Sequence, residues 1–337
     1  MGPTMWCAVL HAPGDVRVEQ RPEPVAGPGE SLVRVTSVGL CGSDLHWFAA
    51  GAIGDAAISR PLVLGHEMAG VVLSGPLVGS SVGLDPALPC GRCRECGAGL
   101  EHLCTRMDFA GHGSTDGGLR ELVAWPDQRI HLLPDGYDPA CGSLLEPLGV
   151  AVHSADLAHL RPGWKVAVTG CGPIGLMLVQ LAAAAGCEVV AVEPLAHRRE
   201  AALRAGAATA VPPDDVTGRS ALEGACDVAF EVSGTDDGVD RAALLVRPGA
   251  RIVLVGIPEA DSTTFTASTM RRKGLTVAWA RRMTADAYAR AISLAVRGAA
   301  DLSWLTSHRF PLDDAAEAFA TAARREGLKV VVDVTAG

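Results

Sequence analysis

The sequence predicts an α/β protein of two domains, one β-rich and one built on a doubly wound parallel sheet. Three observations predict it. The chain has 337 residues, too long for one ordinary core and short for three. Its texture changes near residue 149, from short apolar runs broken by Gly and Pro to a regular alternation of strand-like and helix-like segments. A Gly-rich turn, Gly170-Cys-Gly172-Pro-Ile-Gly175, follows the first of those later strands and opens the first of those helices.

Composition narrows the function. Apolar residues make up 48%, charged residues 20% and aromatics 4%, which suits a large aliphatic core and excludes disorder or collagen. The net charge of −9, from 29 basic and 38 acidic residues, argues against nucleic acid or an anionic membrane as partner. No apolar run reaches the ~20 residues of a membrane span; the longest candidate, Ile174 to Ala185, is interrupted by Gln180. No basic segment precedes a greasy stretch at the N-terminus. The expectation is a soluble cytoplasmic protein.

In chain order, the first region offers apolar runs at Met5–Leu10, Ser31–Val38, Ala69–Leu73 and Leu119–Ala124, separated by turn signals such as Pro13-Gly14 and Asp135-Gly136. Four of the ten cysteines, Cys90, Cys93, Cys96 and Cys104, follow at C-x2-C-x2-C-x7-C spacing among Gly91, Gly97 and Gly99. Short loops of this kind aim several thiolates at one tetrahedral ion, so the cluster reads as structural zinc. Only Arg92, Arg94 and Arg106 lie near it, among Glu95, Glu101 and Asp108; the basic stripe of a nucleic-acid-binding ribbon is missing.

In the second region, β runs at Lys165–Thr169, Glu188–Val192, Thr209–Val211, Asp227–Glu231, Arg251–Val255 and Leu275–Trp279 alternate with helix-like stretches at Pro173–Ala185, Leu195–Arg204 and Asp237–Val246. Six such strands make a dinucleotide fold. Gly170 suits the tight turn, Gly172 the close approach of backbone N–H groups to a pyrophosphate, and Gly175 the packing of helix on strand. Glu193, 23 positions after Gly170, stands where an acid binds ribose hydroxyls, which favours NAD over NADP; the nearby Arg198 and Arg199 pull the other way. Pro173, Ile174 and Val255 complete the expected cofactor-binding set. The chain then runs through a helical stretch, Ala285–Val296, a strand Ser307–Phe310, a helix from Asp313 and a last strand Lys329–Val334.

A second metal is signalled by Cys41-Gly-Ser43-Asp-Leu-His46, by Gly65-His66-Glu67 and by Leu145-Glu146-Pro147. Thiolate, imidazole and carboxylate suit Zn2+. Singly, each has a plain structural reading: a small buried thiol, a surface histidine, a salt-bridge partner, a capping carboxylate. Their order ahead of a dinucleotide motif gives them weight together.

With these stretches, and with Gly51-Ala-Ile-Gly-Asp55, Pro89-Cys-Gly-Arg-Cys93 and His308-Arg-Phe-Pro-Leu312, the chain resembles the zinc-dependent medium-chain alcohol dehydrogenase family over nearly its whole length, most of all its sorbitol (polyol) branch. The resemblance implies a GroES-like catalytic domain over 1–148 and 283–337 and a Rossmann domain over 149–282. It implies that Cys41 and His66 bind a catalytic zinc, with Glu67 an exchangeable ligand and Glu146, where a third cysteine ligand stands in classical alcohol dehydrogenases, binding the zinc through water or contacting substrate. Ser43 takes the alcohol proton and His46 ends the relay. Cys90, Cys93, Cys96 and Cys104 hold the structural zinc. Arg281 or Arg282 lies near a family arginine that faces substrate.

The link from Gly70 to Val82 is shorter than the family's and reads Val78-Gly-Ser-Ser-Val82, so a trimmed turn is expected there. Cys141, five residues before Glu146, reads as a buried thiol outside the site. The implied reaction is hydride transfer between a secondary alcohol, polyol or cyclitol, or the matching ketone, and NAD, in a homodimer or homotetramer. Threonine 3-dehydrogenase chemistry and a non-catalytic NAD- or zinc-binding scaffold are the alternatives.

Overall fold

A computed structural model describes residues 2–54, 56–218, 221–260 and 262–335. Asp55, the last residue of the Gly51 motif, lies outside the described residues. The chain forms two compact units, Met1–Glu146 with Leu302–Gly337, and Pro147–Asp301.

The first unit is built on a seven-stranded sheet. Its main path runs Ile130–Leu132, Ser81–Leu84, Glu67–Ser74, Glu30–Gly39, Lys329–Asp333, Thr306–Pro311, and Leu122–Pro126 also pairs with Glu30–Gly39. The C-terminal strand Lys329–Asp333 therefore sits beside Glu30–Gly39, close to three hundred positions earlier in the chain. The hairpin Thr4–Ala12 and Asp15–Pro22 forms a smaller sheet with Leu62–Val63. Alternation along Glu30–Gly39 buries Val33 and Val35, and Val38 joins them beyond a register shift between Val35 and Ser37, in a core with Leu64, Trp125 and Phe319. The expected trimmed turn spans residues 75–80, where Gly75 and Gly79 take positive φ values of 111° and 85°.

Helices stand or begin in the region 1–148 where the sequence reading places none, among them Gly42–Ala50, Pro139–Ser143 and Leu145–Ala158. Gly42–Ala50 starts from Cys41 in extended conformation, whose N–H is accepted by the Asp44 carboxylate three residues on, and stops at Gly51 in the left-handed region. Pro139–Ser143 is capped by Asp138, and Leu145–Ala158 follows directly. Gly, Ser and Pro around these segments mask their periodicity.

The second unit is a six-stranded, wholly parallel sheet in the order Thr209–Val211, Glu188–Val192, Lys165–Thr169, Cys226–Glu231, Val246–Leu254, Thr276–Trp279. This is the 3-2-1-4-5-6 order of the doubly wound dinucleotide fold. Its strands read as continuous Val/Ala runs because helices cover both faces. Lys273 donates from Nζ to the carbonyls of Ala243, Leu244 and Val246 at 2.8 Å each, closing the C-terminal end of the helix Asp236–Leu245.

Residues 283–301, which the sequence reading assigns to the first domain, pack with the second. Gly149 lies against Met283 and Tyr288, and Arg290 on the helix Ala287–Val296 reaches Asp156 with two bonds of 2.6 and 2.8 Å. Contacts across 134 positions leave no local signature in the sequence.

Candidate active site

The first unit brings Cys41, His66 and Glu67 together, with one ligand atom from each lying within 4.8 Å of the others. Backbone geometry makes this possible. Cys41 stands at the N-terminus of the helix Gly42–Ala50, while Glu67 opens the strand Glu67–Ser74 and pairs with Gly39 on the neighbouring strand. The buried Asp44 links the two segments. Its carboxylate accepts from Cys41 N at 3.0 Å and from Gly65 N at 3.2 Å, and faces His66 Nδ1 at 3.4 Å. With Asp44 accepting at Nδ1, Nε2 is the nitrogen that would be left to ligate a metal. Phe109 packs on the His66 ring at 5.3 Å between centroids.

These residues fit a divalent cation. Burial disfavours protonation of His66, yet Asp44 and Cys41 outweigh it and hold the ring's pKa well above the imidazole range. Such a pocket attracts positive charge. Glu67 is fully buried, and its Oε1 has no hydrogen-bond partner. A carboxylate oxygen left this way is costly unless a metal or proton takes it. The other oxygen, Oε2, lies against Lys329 Nζ. Lys329 is itself 2% exposed and also donates to Leu40 O at 2.8 Å. Burial opposes its charge, but Glu67, Cys41 and Asp44 keep its pKa above the ordinary lysine value.

Glu146 stands outside the close group of three. Burial pushes its pKa up to about 8; His66 opposes the rise and Glu67 adds to it. Ser43 and His46 lie three residues apart on the helix Gly42–Ala50 and are both partly exposed.

Cys90, Cys93, Cys96 and Cys104 form a second group, and no cysteine among the described residues is in a disulfide. Cys93 Sγ lies 3.4 Å from Cys96 Sγ and 3.8 Å from Cys104 Sγ. A tetrahedron with Zn–S of about 2.3 Å has edges of about 3.8 Å, so the thiols already stand at metal-binding spacing. Backbone N–H groups of Cys90 and Arg106 point at Cys104 Sγ at 3.3 and 3.4 Å. Arg129 fastens this lobe to the sheet, bonding Asp85 at 3.1 Å and Glu101 at 2.6 Å. Cys141 is buried beside Asp138, apart from both groups.

In the second unit, Gly170 has φ of 94° with the Ser233 backbone hard against it, and a Cβ on Gly175 would overlap Gly170 O. Gly172 caps the helix Pro173–Ala184, with Ile174 in its first turn. A Cβ there would meet only the Arg198 guanidinium, at 3.9 Å, which leaves the helix N-terminus open to an anion. Glu193 Oε2 accepts from Cys171 N at 2.7 Å and Oε1 from Leu195 N at 3.0 Å. Arg199 turns to the carbonyls of Glu193 and Pro194. Val255 follows the strand Val246–Leu254 and donates to Glu231 O. Arg281 is exposed, and Arg282 takes a left-handed φ of 55° after the strand Thr276–Trp279.

Asp44, Gly39 and Lys329 are the site residues that sequence reading misses. Asp44 carries the capping-box signature, with cysteine in place of the usual Ser or Thr. Gly39 leaves room for the Glu67–Lys329 pair, since a Cβ there would overlap the Glu67 carboxylate and come within 2.9 Å of Lys329 Cε. Lys329 gives one signal only, a lysine opening an apolar run.

Fold, paired metal groups and dinucleotide turn together define a zinc-dependent dehydrogenase. Residues 27–135 match the alcohol dehydrogenase GroES-like domain and residues 173–297 the zinc-binding dehydrogenase domain. The chain is 30% identical to the sorbitol dehydrogenase of Bacillus subtilis (strain 168), over 97% of each chain. It shares 29% identity and a TM-score of 0.91 with the L-idonate 5-dehydrogenase of Escherichia coli K-12, covering 99% of both. A provisionally named zinc-binding dehydrogenase of Sinorhizobium meliloti 1021, solved with NADP bound, is 29% identical with a TM-score of 0.90 over 98% of this chain and 100% of that one. The chain belongs to the zinc-dependent medium-chain dehydrogenase family, in the branch of the polyol dehydrogenases. It is an oxidoreductase acting on a small-molecule alcohol. Among the described residues no helix is long and apolar enough to cross a membrane.

Proposed function

We propose that this protein oxidises a secondary hydroxyl of a polyol or cyclitol, or reduces the matching ketone, with NAD as the coenzyme. The observation that carries the proposal is the Cys41–His66–Glu67 group, its histidine and glutamate buried, with the unpartnered carboxylate oxygen. Names of the relatives support the substrate class: one acts on sorbitol and one on L-idonate. Zinc in that group supplies Lewis acidity, as it does when lowering the pKa of bound water from 15.7 to about 7. Cys41 and His66 would hold it, Glu67 and Glu146 adjust its charge, and Asp44 fixes the His66 ring. Ser43 accepts the proton leaving the substrate hydroxyl and His46 hands it to solvent. The Gly170–Gly175 turn and the helix behind it bind the coenzyme pyrophosphate, and Glu193 accepts from the adenosine ribose.

NAD is favoured over NADP because a 2′-phosphate would meet the Glu193 carboxylate, already fixed by two backbone N–H groups. Binding of NADP by one relative is a property of that relative. The chain associates with a second copy along Thr276–Trp279, an edge strand whose Val277 and Trp279 are 37% and 60% exposed.

The test joins metal and turnover. A panel of polyols, cyclitols, simple secondary alcohols and L-threonine is assayed with NAD and NADP, on wild type and His66→Ala. The proposal expects polyol-dependent NAD reduction that disappears in His66→Ala together with one of two zinc ions. Unchanged turnover in that variant contradicts it.

A further inference from the structure

The fully buried pair between Lys329 and Glu67 is more than a structural tie. A lysine at 2% exposure is retained only against a strong opposing charge, and here that charge belongs to a carboxylate in the metal-binding group. Glu67 presents two unlike oxygens. One lies on Lys329 Nζ and the other has no partner. Three strands converge to hold this arrangement: Glu67 pairs with Gly39, and Gly39 pairs with Val331, two residues beyond Lys329. Gly39 is the gap that admits the pair, and Leu40 O fixes the ammonium from the side at 2.8 Å. The Cys41 thiol lies in the group with Glu67, and the Asp44 carboxylate holds Cys41 N and His66, so the buried cation stands among acidic groups.

We propose that Lys329 is a positioning residue that restrains Glu67, keeping it a one-oxygen, releasable ligand. This rests on the metal-centre reading above. A catalytic zinc must keep a coordination position for substrate, and a carboxylate free to bind with both oxygens would close it. Lys329 competes with the metal for the same carboxylate. With zinc held in this group, a Glu67 carboxylate off the metal would keep Lys329 as its charged partner and would not stand buried and alone.

The proposal predicts an unusual sign. Loss of a supporting residue around a zinc ordinarily weakens metal binding or activity 10–100-fold. Removing Lys329 should instead tighten the metal and slow the reaction. Wild type, Lys329→Met, Glu67→Gln and the double variant are loaded with zinc, and release to a colorimetric chelator is followed. Zinc on the four cysteines serves as the internal measure of folding. Lys329→Met should release the catalytic zinc about tenfold more slowly and lower kcat about tenfold or more, with KM for NAD unchanged. In the Glu67→Gln background the lysine change should alter release less than twofold, because Lys329 acts through Glu67.

Release as fast as wild type or faster in a Lys329→Met protein that keeps its four-cysteine zinc overturns the proposal. If Lys329→Met does not fold, Glu67→Gln and the double variant decide, since neither buries a lone carboxylate. Equal release supports the proposal and a tenfold difference overturns it. A wild type that binds one zinc per chain refutes the metal-centre reading itself, and the proposal with it.

Discussion

At the scale of single residues, Asp44 and Gly39 matter as much to the site as Cys41, His66 and Glu67. Asp44 joins Cys41, Gly65 and His66, so Asp44→Ala should lower zinc affinity at the catalytic group about 10–100-fold and leave the four-cysteine zinc in place, measured by metal content after dialysis against a weak chelator. Gly39→Ala drives a methyl into the Glu67 carboxylate. It should destabilise the protein by about 1–3 kcal/mol in chemical denaturation, as overpacking does, and a variant as stable as wild type would show that the Glu67–Lys329 pair shifts freely. Cys41, His66 and Glu67 are legible in the sequence because they lie in short motifs. Lys329 is not, because its partner is chosen by the register of two strands 290 positions apart, and a lysine before three valines looks like any strand end.

At the scale of elements, the six strands of the second unit read well from sequence because burial on both faces turns each into an unbroken apolar run. The helix Gly42–Ala50 does not, since it is short and its cap is a cysteine. The same scale locates two weak points. Arg129 ties the cysteine lobe to the sheet through Asp85 and Glu101. Arg129→Ala should cost about 1–3 kcal/mol and speed loss of the structural zinc under chelator; unchanged zinc retention would mean the lobe is held by its own loop. Among the described residues, the strand Thr276–Trp279 leaves one edge unpaired. If the proposed edge-to-edge association holds, replacing Val277 with proline, which cannot donate to a ladder, should shift the protein toward monomer in light scattering, and an unaltered mass would contradict it.

For the whole molecule, the sequence anticipates two units and the order of their motifs, while the division of the chain between them depends on long-range packing. Met283 to Asp301 joins the dinucleotide unit through Gly149, Tyr288 and the Arg290–Asp156 pair. The proposed preference for NAD also belongs to this scale, because Glu193 is held by Cys171 N in the Gly-rich turn, 22 positions earlier in the chain. Glu193→Ala should weaken NAD binding and narrow the gap to NADP about tenfold in kcat/KM; an unchanged ratio would assign the discrimination to other residues.

The central claim is that one metal ion, bound by a thiolate and an imidazole from separate segments of the first unit, makes this chain an oxidoreductase. Metal-replacement titration tests it most directly. The protein is stripped of the more labile zinc, its fold and four-cysteine zinc are verified, and zinc is returned in steps while polyol-dependent NAD reduction is recorded. The account predicts no turnover in the stripped protein and full recovery at one equivalent per chain. Turnover that persists after the labile zinc is removed would contradict it.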